Sequence, residues 1–315
     1  MTTTKTQKQN KQDLLKDQAS KDLADLIMND INETTLSKAF ALPYSLKNNM
    51  LIAKQGGQLV KSFKQWSEDG YKIRKGTKAI RIFAPKIVND YTSNGRKINY
   101  KEYQKLSKQE KAKVTIKKEM IGFQLVPVFD ISQTDCPRDK YPDGHFFKER
   151  LQGECDQNKY NALVKFIESK GVPVKYGTTA PLKGFYRHGL TIEDIVIENV
   201  LNEKEKLAIL AHEAGHALMH KNSNLVKWQK ELEAESFCYF LSIAIGFETD
   251  NSVDYIQGHI RKAVKANKAD HEQIIKHLDR SRNLALEISE KLEEIIQNKK
   301  QDKTAEKVAY AIPLF

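Results

Sequence analysis

Apolar residues recur at helical spacing in several stretches of the chain and alternate with polar ones in others, so helices and strands are both expected. A run through Asp22, Leu23, Leu26, Ile27 and Ile31 predicts a helix, preceded by a polar tail over residues 1–20 that is expected to be disordered. Ser45–Val60 predicts a second helix, with Ser45 as its N-cap just after Pro43 and Gly56-Gly57 near its end. The period then changes. Lys78–Pro85 and Met120–Asp130 alternate as strands do, and Pro127 inside the second favours an edge position or a bulge. Tyr91–Lys118 reads as a long loop or helical insert, and Ser132–Gly144 as a linker.

Beyond the linker, Gln157–Lys170 has helical spacing and stops at Gly171, while Leu190–Val200 reads as a strand. Asn202 and Glu205 form a capping-box pattern that opens a helix at Glu203 running to about His220. Helices over Glu231–Ile245, closed by Gly246, and from about His271 to Gln297 complete the pattern. At 315 residues the chain has room for two domains. The expected fold class is α+β: residues 21–135 form a domain of helices and a small antiparallel sheet, residues 136–300 a second domain, and residues 301–315 a C-terminal tail.

Composition narrows the class. With 40% hydrophobic and 30% charged residues the chain can build packed cores, which excludes a fibrous or wholly disordered protein. It has no eighteen-residue apolar stretch and no apolar leader, so neither a membrane span nor secretion is expected. Cys136, Cys155 and Cys238 form no CxxC pair; a disulfide framework or cysteine-rich zinc knuckle is not supported, and a reducing, cytoplasmic setting is expected.

Charge divides the chain. The formal net charge is +11, and residues 1–135 hold 25 Lys+Arg against 14 Asp+Glu while the remainder holds 27 of each. A basic domain joined to a neutral one is expected to meet a polyanion. Between Phe63 and Ile87, rings and cations interleave, through Lys64, Trp66, Tyr71, Lys72, Arg74, Lys75, Lys78 and Arg81. That mixture suits single-stranded DNA, whose unstacked bases lie on rings while cations follow the phosphates. Trp66 and Phe83 are also the strongest candidates for burial in this stretch. Arg96–Lys118 has nine basic residues against two acidic ones but only Tyr100 and Tyr103 as rings, and reads as a charged excursion.

The most specific signal is His212-Glu213-Ala214-Gly215-His216 inside a predicted helix. Residues four apart share a helical face, so both imidazoles can meet one Zn²⁺ ion, and chance would supply such a motif only about 0.015 times in a chain of this composition. A catalytic zinc ordinarily has three protein ligands. A third histidine six residues on is excluded by Asn222, and His220 reads as a packed or capping residue. Glu231-Leu232-Glu233-Ala234-Glu235 remains: Glu231 and Glu235 share a face, with Glu231 the expected ligand and Glu235 the partner of a histidine's other nitrogen, or an alternative ligand. Glu233 points elsewhere. With zinc there, Glu213 can take a proton from water attacking a carbonyl and hand it to the leaving amine, which is peptide-bond hydrolysis. Neither Tyr239 nor His259 can be assigned as the oxyanion-stabilising group.

Through Ile209–His220 and Glu231–Ser236 the second domain resembles zincin-like metallopeptidases of the ImmA/IrrE group. Through Asn48–Ala53, Phe63–Trp66, Ile73–Ile82 and Val126–Thr134 the first resembles the single-stranded-DNA-binding domain of ArdC-type antirestriction proteins. The resemblance implies a protein of plasmids or conjugative elements that binds incoming single-stranded DNA and carries a gluzincin-like site for an unknown protein substrate. The alternative is a strand-coating protein whose zinc site is structural or vestigial.

Overall fold

Leu23, Leu26, Ile27 and Ile31 are all buried in the computed structural model, which describes residues 2–141, 155–249, 252–266 and 268–310. Leu23 lies at the end of α1 (Thr2–Asp25), Leu26 and Ile27 on the π-helical turn Leu26–Asp30 that continues it, and Ile31 just after that turn. The tail expected to be disordered is thus the start of a helix. α2 (Glu33–Ala41) went unpredicted; Asn32 and Thr35 cap it reciprocally, with Thr in the place usually held by Glu or Gln. α3 (Leu46–Lys54) opens on Ser45, whose hydroxyl accepts from the Asn48 N–H, and Gly56 at φ +77° follows its end.

Two compact units emerge: residues Met1–Asp22 with Val60–Pro137, and residues Leu23–Leu59 with Arg138–Phe315. This revises the boundary at residue 135, because 23–59 packs with the C-terminal part. Phe40 stacks on Phe240 at 5.4 Å, and the buried Arg282 guanidinium donates to the carbonyls of Phe40 (3.0 Å) and Leu42 (2.9 Å). Such contacts are long-range and leave no mark on the local pattern.

The first unit is built on a sheet. β1 (Val60–Lys61) leads through α4 (Phe63–Glu68) to β2 (Ile80–Ser93), β3 (Arg96–Ile98), the short helices α5 (Tyr100–Lys105) and α6 (Lys108–Lys111), and β4 (Thr115–Asp130). All pairings are antiparallel, in the order β1-β4-β2-β3. Both predicted strands run further than expected, because the 91–118 insert begins as a hairpin: Asn94 and Gly95 carry positive φ at the turn. Pro127 sits opposite Arg81, where β1, which pairs only with Phe129 and Asp130, has already ended. The register break falls instead between Pro85 and Ile87. The expected linker starts inside this unit, since Thr134 bridges Ile73 and the Asp135 N–H donates to the Lys72 carbonyl; its end, from 142, lies outside the described residues.

In the second unit α7 (Asp156–Ser169) precedes β5 (Val174–Gly177), β6 (Gly184–His188) and β7 (Glu193–Glu198). β7 is central, parallel to β5 and antiparallel to β6, with Ile195, Val196 and Ile197 all buried. α8 (Glu203–His220) starts at the Asn202–Glu205 capping box, and α9 (Lys227–Ile245) stops at Gly246 in the left-handed region. α10 (Ser252–Lys265) was not predicted, and α11 (His271–Tyr310) continues well into the expected tail, whose last five residues lie outside the described ones. No helix among the described residues is long and apolar enough to cross a membrane.

Candidate metal centre

α8 and α9 approach closely at Gly215, where an added Cβ would stand 3.0 Å from the Ala234 Cα. That closeness lets a side chain of one helix reach the ligands of the other. His212 Nε2 and His216 Nε2 lie 3.2 Å apart, and Glu231 Oε2 is 3.9 Å from the first and 3.7 Å from the second. Two imidazole nitrogens and one carboxylate oxygen thus converge within 4.8 Å of one another, a donor set suited to a divalent transition metal.

Each histidine is held from behind. Glu235 Oε1 lies 3.4 Å from His212 Nδ1. His216 Nδ1 is 3.0 Å from His220 Nδ1, and His220 Nε2 is 3.0 Å from Glu233 Oε2. Glu233, expected to face away from the chemistry, is 1% exposed and also accepts from His277 Nδ1 (2.7 Å) and Arg280 Nη1 (2.8 Å). Burial alone would raise its pKa, but these donors hold it down to about 2. Sequence reasoning passed over His220 and Glu233; the available signal was that His220 continues the His212–His216 face by one more four-residue step.

Glu213 lies beside the triad. Its Oε2 accepts from the Tyr186 N–H at 2.8 Å, tying it to β6, and burial raises its pKa against the pull of His212 and His216. Glu231 is driven the other way, to about 2, first by the imidazole of His216 close beside it. One carboxyl is thereby biased toward holding a proton and the other toward remaining charged. His212 and Glu213 line two cavities, one of about 490 Å³ bordered by Lys183, Ile209 and Tyr255, the other of about 910 Å³ bordered by Phe185, Tyr186, Lys227 and Lys230. Tyr239 bonds to Ser37 Oγ at 3.0 Å, and His259, its pKa lowered by burial, is on α10.

The expected DNA contacts divide. Lys72, Arg74, Lys75 and Lys78 are exposed on the segment before β2; Lys64 is exposed beside Glu68 at 3.5 Å, and Tyr71 and Arg81 are half-buried. Trp66 must be withdrawn as a stacking platform: it is 2% exposed, its indole N–H donates to the Phe129 carbonyl at 2.7 Å, and Tyr71 packs edge-on against it. Exposed apolar side chains lie elsewhere, at Ile87, Met120, Ile121 and Phe123 on β2 and β4 and at Phe63 on α4.

Residues 23–129 match the family model of the N-terminal domain of the anti-restriction factor ArdC. The crystal structure of the antirestriction protein ArdC from plasmid R388, in its metal-free form, superposes with a TM-score of 0.53 and 19% identity over 88% of this chain and 97% of that one. The fold is that of ArdC. The Mn(II)-bound structure of the same protein superposes with a TM-score of 0.51 over 85% and 96%. An uncharacterized protein of Bacillus anthracis is 26% identical over 238 residues, 68% of this chain but only 40% of that relative's length. The ArdC domain match begins at the helices that pack in the unit of the candidate metal centre and ends on β4 of the other.

Proposed function

We propose that this chain is an ArdC-type antirestriction protein that binds single-stranded DNA through its sheet unit and hydrolyses peptide bonds at a divalent metal. His212, His216 and Glu231 would hold the ion, zinc by the nature of the donors, with manganese the ion found in the R388 protein. When bound, the ion supplies Lewis acidity, acidifying water and polarising a carbonyl oxygen. Glu213 then takes the proton of the attacking water and delivers it to the leaving amine. The observation that carries this reading is the Glu213 carboxyl, buried beside the ligand nitrogens, raised in pKa and aimed by the Tyr186 N–H. A purely structural metal requires no such base.

DNA binding is supported by the charge partition: the sheet unit holds 22 Lys+Arg against 11 Asp+Glu, and the metal-bearing unit 30 of each. Exposed Lys72, Arg74, Lys75 and Lys78 suit phosphates, and the Phe123 and Met120 region offers apolar surface to bases. The test is Glu213→Gln, assayed with a library of quenched fluorescent peptides in the presence of single-stranded DNA. Loss of a general base costs about 10²–10⁴ in rate, so cleavage should vanish while metal content and strand affinity persist. A wild-type protein that cleaves nothing, with protection from restriction unchanged in the variant, would leave a strand-coating protein.

A further inference from the structure

His220 and Glu233 are not needed as ligands, yet they belong to a buried polar cluster bonded to His216, His277, Arg280 and Ser281. We infer that His220 and Glu233 are positioning residues, a buried relay that fixes the proton of His216 on Nδ1 and so keeps its Nε2 lone pair open to a metal. This inference rests on the metal reading above.

The assignment follows from donor and acceptor balance. Arg280, which can only donate, reaches Glu233 Oε2 at 2.8 Å and the Met219 carbonyl at 2.9 Å, and His277 Nδ1 meets Glu233 Oε1 at 2.7 Å. Ser281 Oγ donates to the Glu233 backbone carbonyl at 2.9 Å, pinning the residue to α11. A carboxylate gripped by these donors acts as an acceptor toward its remaining neighbour, so the hydrogen at the 3.0 Å contact with His220 sits on His220 Nε2. The neutral ring then presents Nδ1 as an acceptor. His216 Nδ1, 3.0 Å away, must be the donor, which leaves its Nε2 unprotonated beside His212 Nε2 and Glu231. One direction of donation therefore runs from the ligand ring through His220 to Glu233. The opposite direction would put a hydrogen on the nitrogen that faces the metal position. Such partners of a ligand histidine are typically worth 10–100-fold in metal affinity.

Tautomers can be read directly in the full-length, metal-free chain by ¹⁵N–¹H correlation of labelled histidines. Expected are the Nδ1–H form for His216 and the Nε2–H form for His220; a His216 carrying its hydrogen on Nε2 overturns the inference with or without metal. The second measurement is chelator competition for Zn²⁺, with the Co²⁺ d–d spectrum, in Glu233→Gln and His220→Phe. The relay predicts a 10–100-fold loss of affinity and a shifted Co²⁺ spectrum, which a merely destabilised but folded protein would not give. Wild-type affinity and spectrum in both variants would refute it. A wild-type protein that takes up no Zn²⁺, Mn²⁺ or Co²⁺ while showing the expected tautomers would sink the metal reading and leave the hydrogen-bond assignment standing.

Discussion

Gly215 offers a graded test of the α8–α9 junction, because it lies between His212 and His216 without touching a metal itself. A Cβ there would meet the Ala234 Cα at 3.0 Å, the Phe237 ring at 3.1 Å and the Ala234 Cβ at 3.4 Å. Carbon atoms prefer about 3.5–4.0 Å, and Ala234 cannot rotate out of the way, so relief requires the helices to part by roughly half an ångström. Overpacking of this kind costs about 1–3 kcal/mol. Exchanging a mid-helix glycine for alanine returns about 1 kcal/mol of helix propensity. Gly215→Ala should therefore lose about 0–2 kcal/mol, a fall in Tm of up to roughly 8 °C at about 2–4 °C per kcal/mol. Gly215→Val regains less propensity and adds two more carbons, so it should lose more. Ala234 lies one helical turn beyond Glu231 and next to Glu235, so the same displacement carries both carboxylates away from the imidazoles. Zn²⁺ affinity, read by chelator competition, should drop about 10-fold or more in the valine variant. A valine variant that melts with the wild type and binds metal as tightly would refute the claim that this close approach builds the site.

Other perturbations test other parts of the fold. Asn49 is fully buried, and its amide hydrogens are shared among the carbonyls of Ala39 (2.7 Å), Leu42 (2.7 Å) and Tyr44 (3.1 Å); in Asn49→Ala the Leu42 carbonyl keeps Arg282 while Ala39 and Tyr44 lose this donor, which should cost about 2 kcal/mol or more in denaturant melts, at about 1–3 kcal/mol per unsatisfied group. Asp194, fully buried, is held at about 2, below its usual 3.8, by Arg187 at 2.7 Å and then by Lys175. Because the folded pKa is the lower one, this stabilisation is complete above about pH 4 and fades as pH falls toward 2. After discounting for the half-exposed cations, the gap between wild type and Asp194→Asn should be about 1–2 kcal/mol at neutral pH and should close across that window; a pH-independent gap would count against it. Replacing Lys72, Arg74, Lys75 and Lys78 with alanine should lower the salt slope of single-strand binding by about 0.7 for each phosphate no longer neutralised. An unaltered slope would move the footprint away from this segment.

What the residues disclosed in advance was mostly local chemistry. The start of α8 at Glu203, the stop of α9 at Gly246 and the cap at Ser45 follow from side-chain hydrogen bonds within a few residues, and each was legible. The convergence of His212, His216 and Glu231 was legible as a spacing, since one helical face and one following helix suffice to bring them together. The misses have two causes. Some signals were present but unread: Asn94-Gly95 is a strong hairpin dipeptide, and reading it would have split the 91–118 insert into strand, turn and strand. Others have no local trace. Trp66 in a cationic stretch looks the same whether it stacks on a base or plugs a core, and only its bond to Phe129, far along the chain, decides the matter. Glu233 likewise reads as one more acidic residue on α9 until His277 and Arg280 arrive from α11.

The unit boundary shows how such long-range packing changes the functional reading. Cut by sequence at residue 135, the chain seemed to put its basic excess and its first helices in one module. Cut by packing, residues 23–59 join the unit of the candidate metal centre and bring three basic and three acidic residues, leaving that unit neutral and the whole +11 on the other. A neutral unit exerts little long-range pull on a polyphosphate, so the proposed attraction to DNA would come from the sheet unit, where exposed lysines are screened within about 8–10 Å at ordinary ionic strength. The carboxylates at the candidate metal centre act over distances of 3.4–3.9 Å on the imidazoles, where salt has little purchase. The proposed strand binding and peptide chemistry would thus rest on groups with different physical sensitivities. That separation is why the lysine substitutions and Glu213→Gln should each remove one activity and leave the other measurable.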